Sequence, residues 1–127
     1  MSRERVLKVV LLVLGLFFMA GLYPIVTILW HGDESTYGDA MMLSLYFALG
    51  VFLLFAARDP AANRSLIAFT AWSSFAHAAV MTVQTLRSPS YGGGLLGGVA
   101  VLFVIGIALL LLTPAKHAAR PAPAPGI

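Results

Sequence analysis

The residues best equipped for chemistry lie on one apolar segment, residues 66–86. His77 sits at its centre, and Thr70, Ser73, Ser74 and Gln84 recur with it at helical spacing, with Met81 filling the remaining turn. On a helix these side chains share one face. An imidazole donates and accepts hydrogen bonds and takes up a proton near neutral pH. Beside hydroxyls and an amide it can serve as an interhelical hydrogen bond, hold the polar end of a small ligand, or act as a general base or haem ligand. Haem between two helices calls for two axial ligands. The chain has 3 histidines, and His31 and His117 fall outside the apolar segments, on opposite sides. Interhelical polar contacts contribute about 0.6 kcal/mol on average, so packing alone accounts for one midspan histidine. The face reads first as structural glue, second as a small-ligand pocket and last as a catalytic centre. No catalytic residue and no metal ligand is assigned, and no cofactor is named.

Four apolar runs must position this face: residues 6–30, 40–57, 66–86 and 95–113. Each is long enough, or nearly so, to cross a hydrocarbon layer of about 30 Å as a helix. The 127 residues are 60% hydrophobic and 10% charged, against roughly 25% charged in a soluble domain. So short a chain has too little interior to hide four such runs from water. In a bilayer the backbone must satisfy its own hydrogen bonds; helices do so, and the short alternating strands of a barrel are absent. The expected fold is all-α: a four-helix transmembrane bundle over residues 1–113, with a Pro- and Ala-rich, disordered cytoplasmic tail over 114–127.

Charge sets the orientation. Arg3, Arg5 and Lys8 precede the first run, Arg58 and Arg64 separate the second and third, and Lys116 and Arg120 follow the fourth. Of the 8 Lys and Arg residues, only Arg87 lies in the other two loops. The positive-inside rule places both termini in the cytoplasm. The outer loop, 31–39, holds His31, Asp33, Glu34 and Asp39. Their oxygens suit a divalent cation, but the spacing fits no metal motif, and the loop reads as a solvated acidic turn. The pI of about 9.7 comes from basic residues scattered at membrane edges, which suits anionic lipid head groups rather than nucleic acid. The absence of cysteine excludes disulfides, thiol redox chemistry and thiolate metal sites.

Local signals refine the helices. The first run, about 25 residues or roughly 37 Å as a helix, contains Pro24, which cannot bond the carbonyl of Ala20 and predicts a kink there. Cleavage after Ala20 would put Phe18 where a signal peptidase needs a small residue, so the run reads as an uncleaved helix. Asp39 is expected to cap the second helix, and Asp59-Pro60 to start the third. The turn 58–65 is short and makes helices two and three antiparallel neighbours. Loop 87–94, with Pro89 and successive glycines, is expected to be flexible. The fourth run has no polar side chain between residues 95 and 112. Gly93, Gly94, Gly97 and Gly98 place small residues at its outer end, for internal packing or a homodimer face.

Depth suggests partners for His77. Helix two runs inward, so Tyr46 lies within about one turn of His77 in height. Tyr23 on helix one lies near the depth of Gln84. The candidate site is a pocket between helices one, two and three, lined by Tyr23, Tyr46, Ser73, His77 and Gln84. Trp72 and Phe75 are either its aromatic walls or lipid-facing. Ion-coupled carriers need an ionisable group inside the bundle. No Asp or Glu falls within the runs, which leaves only His77 for that role.

Several strings occur together: Leu22-Tyr23-Pro24, Tyr46 with Leu49-Gly50, Ala56-Ala57-Arg58-Asp59-Pro60, Asn63-Arg64-Ser65-Leu66-Ile67, and Trp72-Ser73-Ser74 followed by His77. Over residues 6–84 the chain resembles small bacterial four-helix membrane proteins grouped as a domain of unknown function, loosely similar to DoxX-like proteins. The resemblance implies a bacterial inner-membrane location and a four-helix bundle, and carries over no activity. DoxX-like proteins are associated with redox or sulfur metabolism, for which a cysteine-free chain offers no support. The function expected first is a non-enzymatic structural or accessory subunit, with membrane lipids, a membrane protein or a second copy as partners. The alternative is a binder of a quinone-like or lipid molecule around His77; a small transporter or membrane-embedded enzyme comes third.

Overall fold

A computed structural model describes residues 2–92 and 95–114. The described residues are helical throughout, with no strand: α1 (Arg3–Met19), α2 (Leu22–His31), α3 (Tyr37–Ala56), α4 (Arg64–Arg87), the single turn α5 (Pro89–Gly92) and α6 (Leu95–Leu112). One-turn 3-10 helices, Glu34–Thr36 and Pro60–Asn63, precede α3 and α4. Four segments are long and apolar enough to cross a membrane: Arg3–His31, Glu34–Ala56, Pro60–Arg87 and Leu95–Leu112.

Local chemistry explains most boundaries. Ser2 caps α1 by accepting from the Arg5 N–H at 3.2 Å, and Glu4 and Lys8 form an i,i+4 ion pair at 3.5 Å. The first apolar run divides into two helices, and the break falls one turn before Pro24. Pro24 has no N–H for the Ala20 carbonyl, so the Tyr23 N–H takes it at 3.2 Å, a tightened three-residue bond. The Gly21 N–H likewise bonds the Phe18 carbonyl at 3.1 Å, and α2 resumes with Ile25 N–H on Gly21 at 3.1 Å.

Asp39 does not cap α3. The 3-10 turn, capped by Asp33 through the Ser35 N–H at 3.0 Å, runs directly into the helix at Tyr37. Asp39 therefore sits inside the first turn, where a carboxylate still favours the helix dipole. Asp59 behaves as expected of Asp-Pro: it accepts from Ala62 N–H at 3.3 Å and Pro60 opens the turn that leads into α4.

The helices pair as two hairpins. α1 and α2 lie along α3, and α4 lies along α6. α3 and α4, neighbours in sequence, touch only sparingly, because each is occupied by its own hairpin partner. The α1–α3 crossing is a contact of two backbones. A Cβ on Gly15 would come within 2.9 Å of the Gly50 carbonyl oxygen, and one on Gly50 within 2.7 Å of the Gly15 oxygen. The α4–α6 crossing instead seats Phe75 on Gly106, where a Cβ would meet the ring at 2.5 Å. Gly98 faces the Met81 methyl, whereas Gly97 meets open space. Gly93 and Gly94, and with them the proposed glycine spacings and part of the loop expected to be flexible, lie outside the described residues, as does the tail beyond Pro114.

The hairpins join at the end that carries residue 2, the 57–63 turn and Pro114. Leu7, Leu11, Leu53, Ile67, Ala71 and Leu109 form the core there, each wholly inaccessible to solvent. Two arginines close this end. Arg3 donates to the carbonyls of Leu111 and, at 3.0 Å, Thr113; Arg64 Nε donates to Pro114 at 2.6 Å. Arg3 satisfies Leu111, one of the carbonyls that the end of α6 leaves without an intrahelical partner, and Arg64 holds the chain just beyond it. Arg3, Arg5, Arg58 and Arg64 make it the basic end, and Asp33, Glu34 and Asp39 mark the far end.

The Gly15–Gly50 contact gives a direct test. Gly50→Val forces α1 and α3 apart and costs about 1–3 kcal/mol or more through overpacking; Gly97→Val meets no neighbour and has little effect. Thermal unfolding of the two variants in one detergent checks the contrast, and equal midpoints would remove Gly50 as a packing constraint.

Candidate functional site

The polar face of α4 divides into two stripes. Ile67, Thr70, Ala71, Ser74 and Ala78 form the buried stripe. Its hydroxyls are satisfied within the helix: Thr70 donates to the Leu66 carbonyl at 2.9 Å and Ser74 to the Thr70 carbonyl at 2.8 Å. Short β-hydroxyls reach their own backbone in this way and need nothing from a neighbouring helix. The second stripe, Ser73, His77, Met81 and Gln84, is rotated toward α3 and opens into a groove.

That groove lies between α3 and α4, with Leu95 of α6 at its edge, and has a volume of about 560 Å³. Asp39, Met42 and Tyr46 face it from α3, at i, i+3 and i+7 of one helix. Ser73, His77 and Gln84 face it from α4. Four of the five residues singled out from the sequence, Tyr46, Ser73, His77 and Gln84, thus line one space. The fifth, Tyr23, is 80% exposed on α2 and lines no part of it. Asp39 is the lining residue that the sequence reading assigned to a loop cap. Its spacing to Tyr46 was the available signal, once α3 is extended back to Tyr37.

A second cavity, of about 370 Å³, lies on the other side of Tyr46 and His77. Phe17, Phe18, Gly21, Pro24, Leu43 and Leu102 give it apolar walls at the α1–α2 break. Met42, Tyr46 and His77 belong to both cavities. The His77 ring meets Tyr46 edge to face, with centroids 5.5 Å apart and planes at 86°. Tyr46 in turn meets Phe18 at 5.1 Å and 70°. Trp72 and Phe75 are not groove walls: Trp72 packs on Phe75 at 5.5 Å, and Phe75 on Phe103 at 5.7 Å, within the α4–α6 hairpin.

Ser73 donates to the Thr70 carbonyl at 3.1 Å. No residue among those described hydrogen-bonds the His77 imidazole, the Tyr46 hydroxyl or the Gln84 amide. The contact between His77 and Tyr46 is a ring contact, not the interhelical hydrogen bond expected of structural glue. Their polar atoms remain available to a molecule in the groove. Among the described residues, no three His, Asp or Glu side chains gather as a metal site. Asp33 is engaged instead in capping, accepting from the Ser35 N–H and hydroxyl.

The fold and this groove define a small all-α protein with four helices of membrane-crossing length and apolarity. The chain belongs to a family of unknown function, DUF6632, whose model matches residues 2–125. No curated protein and no solved structure matches it.

The ring contact predicts a ranking. Tyr46→Phe keeps the edge-to-face packing on Phe18 and His77 and leaves stability near wild type, whereas Tyr46→Ala loses the ring and costs about 3 kcal/mol or more. Unfolding midpoints of the purified variants check this, and a loss with Tyr46→Phe as large as with Tyr46→Ala would show that the hydroxyl, not the ring, holds the site together.

Proposed function

We propose that the protein is an integral membrane protein that binds a small lipophilic molecule, with the hydrogen-bonding end of that molecule in the groove between α3 and α4. The single observation carrying this reading is that Tyr46, His77 and Gln84 line one open groove with no internal hydrogen-bond partner among the described residues. In a bilayer such groups are costly unless something pairs with them. The volume lies within the range of small-molecule sites, roughly 300–1,000 Å³. His77 and Tyr46 offer a donor and acceptor at depth, and Gln84 a second pair nearer the mouth.

Membrane insertion is supported by the surface. Phe17, Leu29, Trp72, Val104 and Leu111 are each more than 60% exposed, and water would penalise so much apolar area. Trp30, 79% exposed, and Tyr37 lie at the far end, where interfacial aromatics are favoured. The arginines at the opposite end support a cytoplasmic side for both termini, and the resemblance of the short strings supports a bacterial inner membrane. A structural or accessory subunit is the second reading. It is favoured by the Phe18–Tyr46–His77 ring series, which gives His77 a packing role with no ligand at all.

Native mass spectrometry of wild type and His77→Leu released from nanodiscs separates the two. A discrete adduct on wild type, lost in His77→Leu, is expected of the ligand reading. A bare chain, or a protein complex unchanged by the substitution, would assign His77 to packing. Orientation has its own test, made clean by the absence of native cysteine. Ser35→Cys reacts with an impermeant maleimide in intact cells and Ala61→Cys only after permeabilisation; the opposite pattern would invert the topology.

A further inference from the structure

Asp39 gives the groove a charge. It lines the same space as Tyr46, His77 and Gln84, and no Lys or Arg lines it. The carboxylate is exposed at the mouth, and the one ion pair among the described residues is Glu4–Lys8, at the other end of the molecule. Of the charged groups at this end, Asp33 and Glu34 add to the negative field. Arg87 ends α4 one turn beyond Gln84 without entering the groove. A single uncompensated carboxylate in a cleft with apolar walls raises the local concentration of the opposite charge.

The neighbouring cavity supplies the complementary half. It shares Met42, Tyr46 and His77 with the groove, and its remaining walls are almost wholly apolar. A molecule lying across Tyr46 and His77 would have one end beside a carboxylate and the other among Phe17, Phe18, Leu43 and Leu102. An anionic head would meet repulsion from Asp39, and a neutral head would leave the carboxylate unused.

We propose that the ligand is a lipophilic cation. Its protonated amine or quaternary nitrogen sits beside Asp39 in the α3–α4 groove, and its apolar tail passes Tyr46 and His77 into the cavity at the α1–α2 break. This inference rests on the ligand-binding reading above and names its chemical class. Asp39 selects charge, and the Tyr46–His77 pair forms the waist between head and tail.

The test is equilibrium binding of radiolabelled dodecylamine, dodecanol and laurate to the full chain in phosphatidylcholine nanodiscs, with empty discs subtracted. Wild type is expected to prefer the amine over the alcohol by roughly fivefold, the scale of a partly solvated ion pair, and to bind laurate weakest. Asp39→Asn abolishes the preference while retaining the alcohol; Asp39→Glu preserves it. His77→Leu weakens all three probes together. Equal binding of amine and alcohol by wild type, or a preference that survives in Asp39→Asn, would overturn the cation assignment and leave a neutral-ligand groove standing. Wild type that binds none of the three, while remaining monodisperse, would sink the ligand-binding reading itself.

Discussion

The backbone contact between Gly15 and Gly50 is the constraint on which the site depends. Without side chains at these two positions, α1 and α3 approach until each glycine faces the other's carbonyl oxygen. The next turn of each helix then has no freedom. Phe18, three residues after Gly15, is brought against Tyr46, four residues before Gly50. Tyr46 is thereby fixed at the height and rotation where its ring meets His77. The candidate site lies between hairpins, yet its geometry is set within one of them. In the bilayer proposed for these helices, packing gains little from burying oily surface, so close approach and dispersion supply the attraction.

The opposite end solves a different problem. α6 ends with carbonyls that have no helical donors, and the two hairpins share only a modest interface. Arg3 answers both needs by reaching from α1 to the Leu111 and Thr113 carbonyls, and Arg64 of α4 holds the Pro114 carbonyl just past α6 within its own hairpin. A guanidinium carries several donors in a fixed fork and keeps its charge, so it can bond a helix C-terminus and complement its dipole. The same arginines supply the charge asymmetry from which orientation was read. Residues that look like topology signals in one dimension are also hydrogen-bond ties in three, Arg3 between the hairpins and Arg64 within one.

The four long helices were legible because run length and apolarity depend on neighbours along the chain. Rotation was not, because it depends on neighbours across it. The sequence offered one polar face on α4; packing split it into a buried stripe, where Thr70 and Ser74 bond their own helix, and an open one with His77. It drew attention to the repeated glycines at 93–98, of which Gly98 packs on Met81 of α4, but not to isolated Gly15, Gly50 and Gly106, whose partners are likewise on other helices. Pro24 was read correctly as a disruption, but the break moved one turn earlier because the proline deprives a carbonyl four residues back. Asp39 was misread as a cap because the apolar run begins at Ala40, and a helix is free to start before its apolar part does.

Side-chain length explains why the open stripe differs chemically from the buried one. Serine and threonine hydroxyls sit one carbon from the backbone and can return their hydrogen to a carbonyl three or four residues earlier. Here Thr70, Ser73, Ser74, Thr82 and Thr85 all do so. Thr70 and Ser74, for example, add polarity to α4 without adding any demand for a partner on another helix. Histidine, glutamine and tyrosine carry their polar atoms too far out for that solution. Placed in an apolar setting they must find a group on another element, water, or a bound molecule. His77, Tyr46 and Gln84 find no other element among the described residues. Gln84 lies toward the open far end, within reach of solvent and head groups, whereas His77 and Tyr46 lie deeper and pair only through their rings. In the proposed reading, a molecule entering from the far end would meet Gln84 first and the Tyr46–His77 ring pair below it.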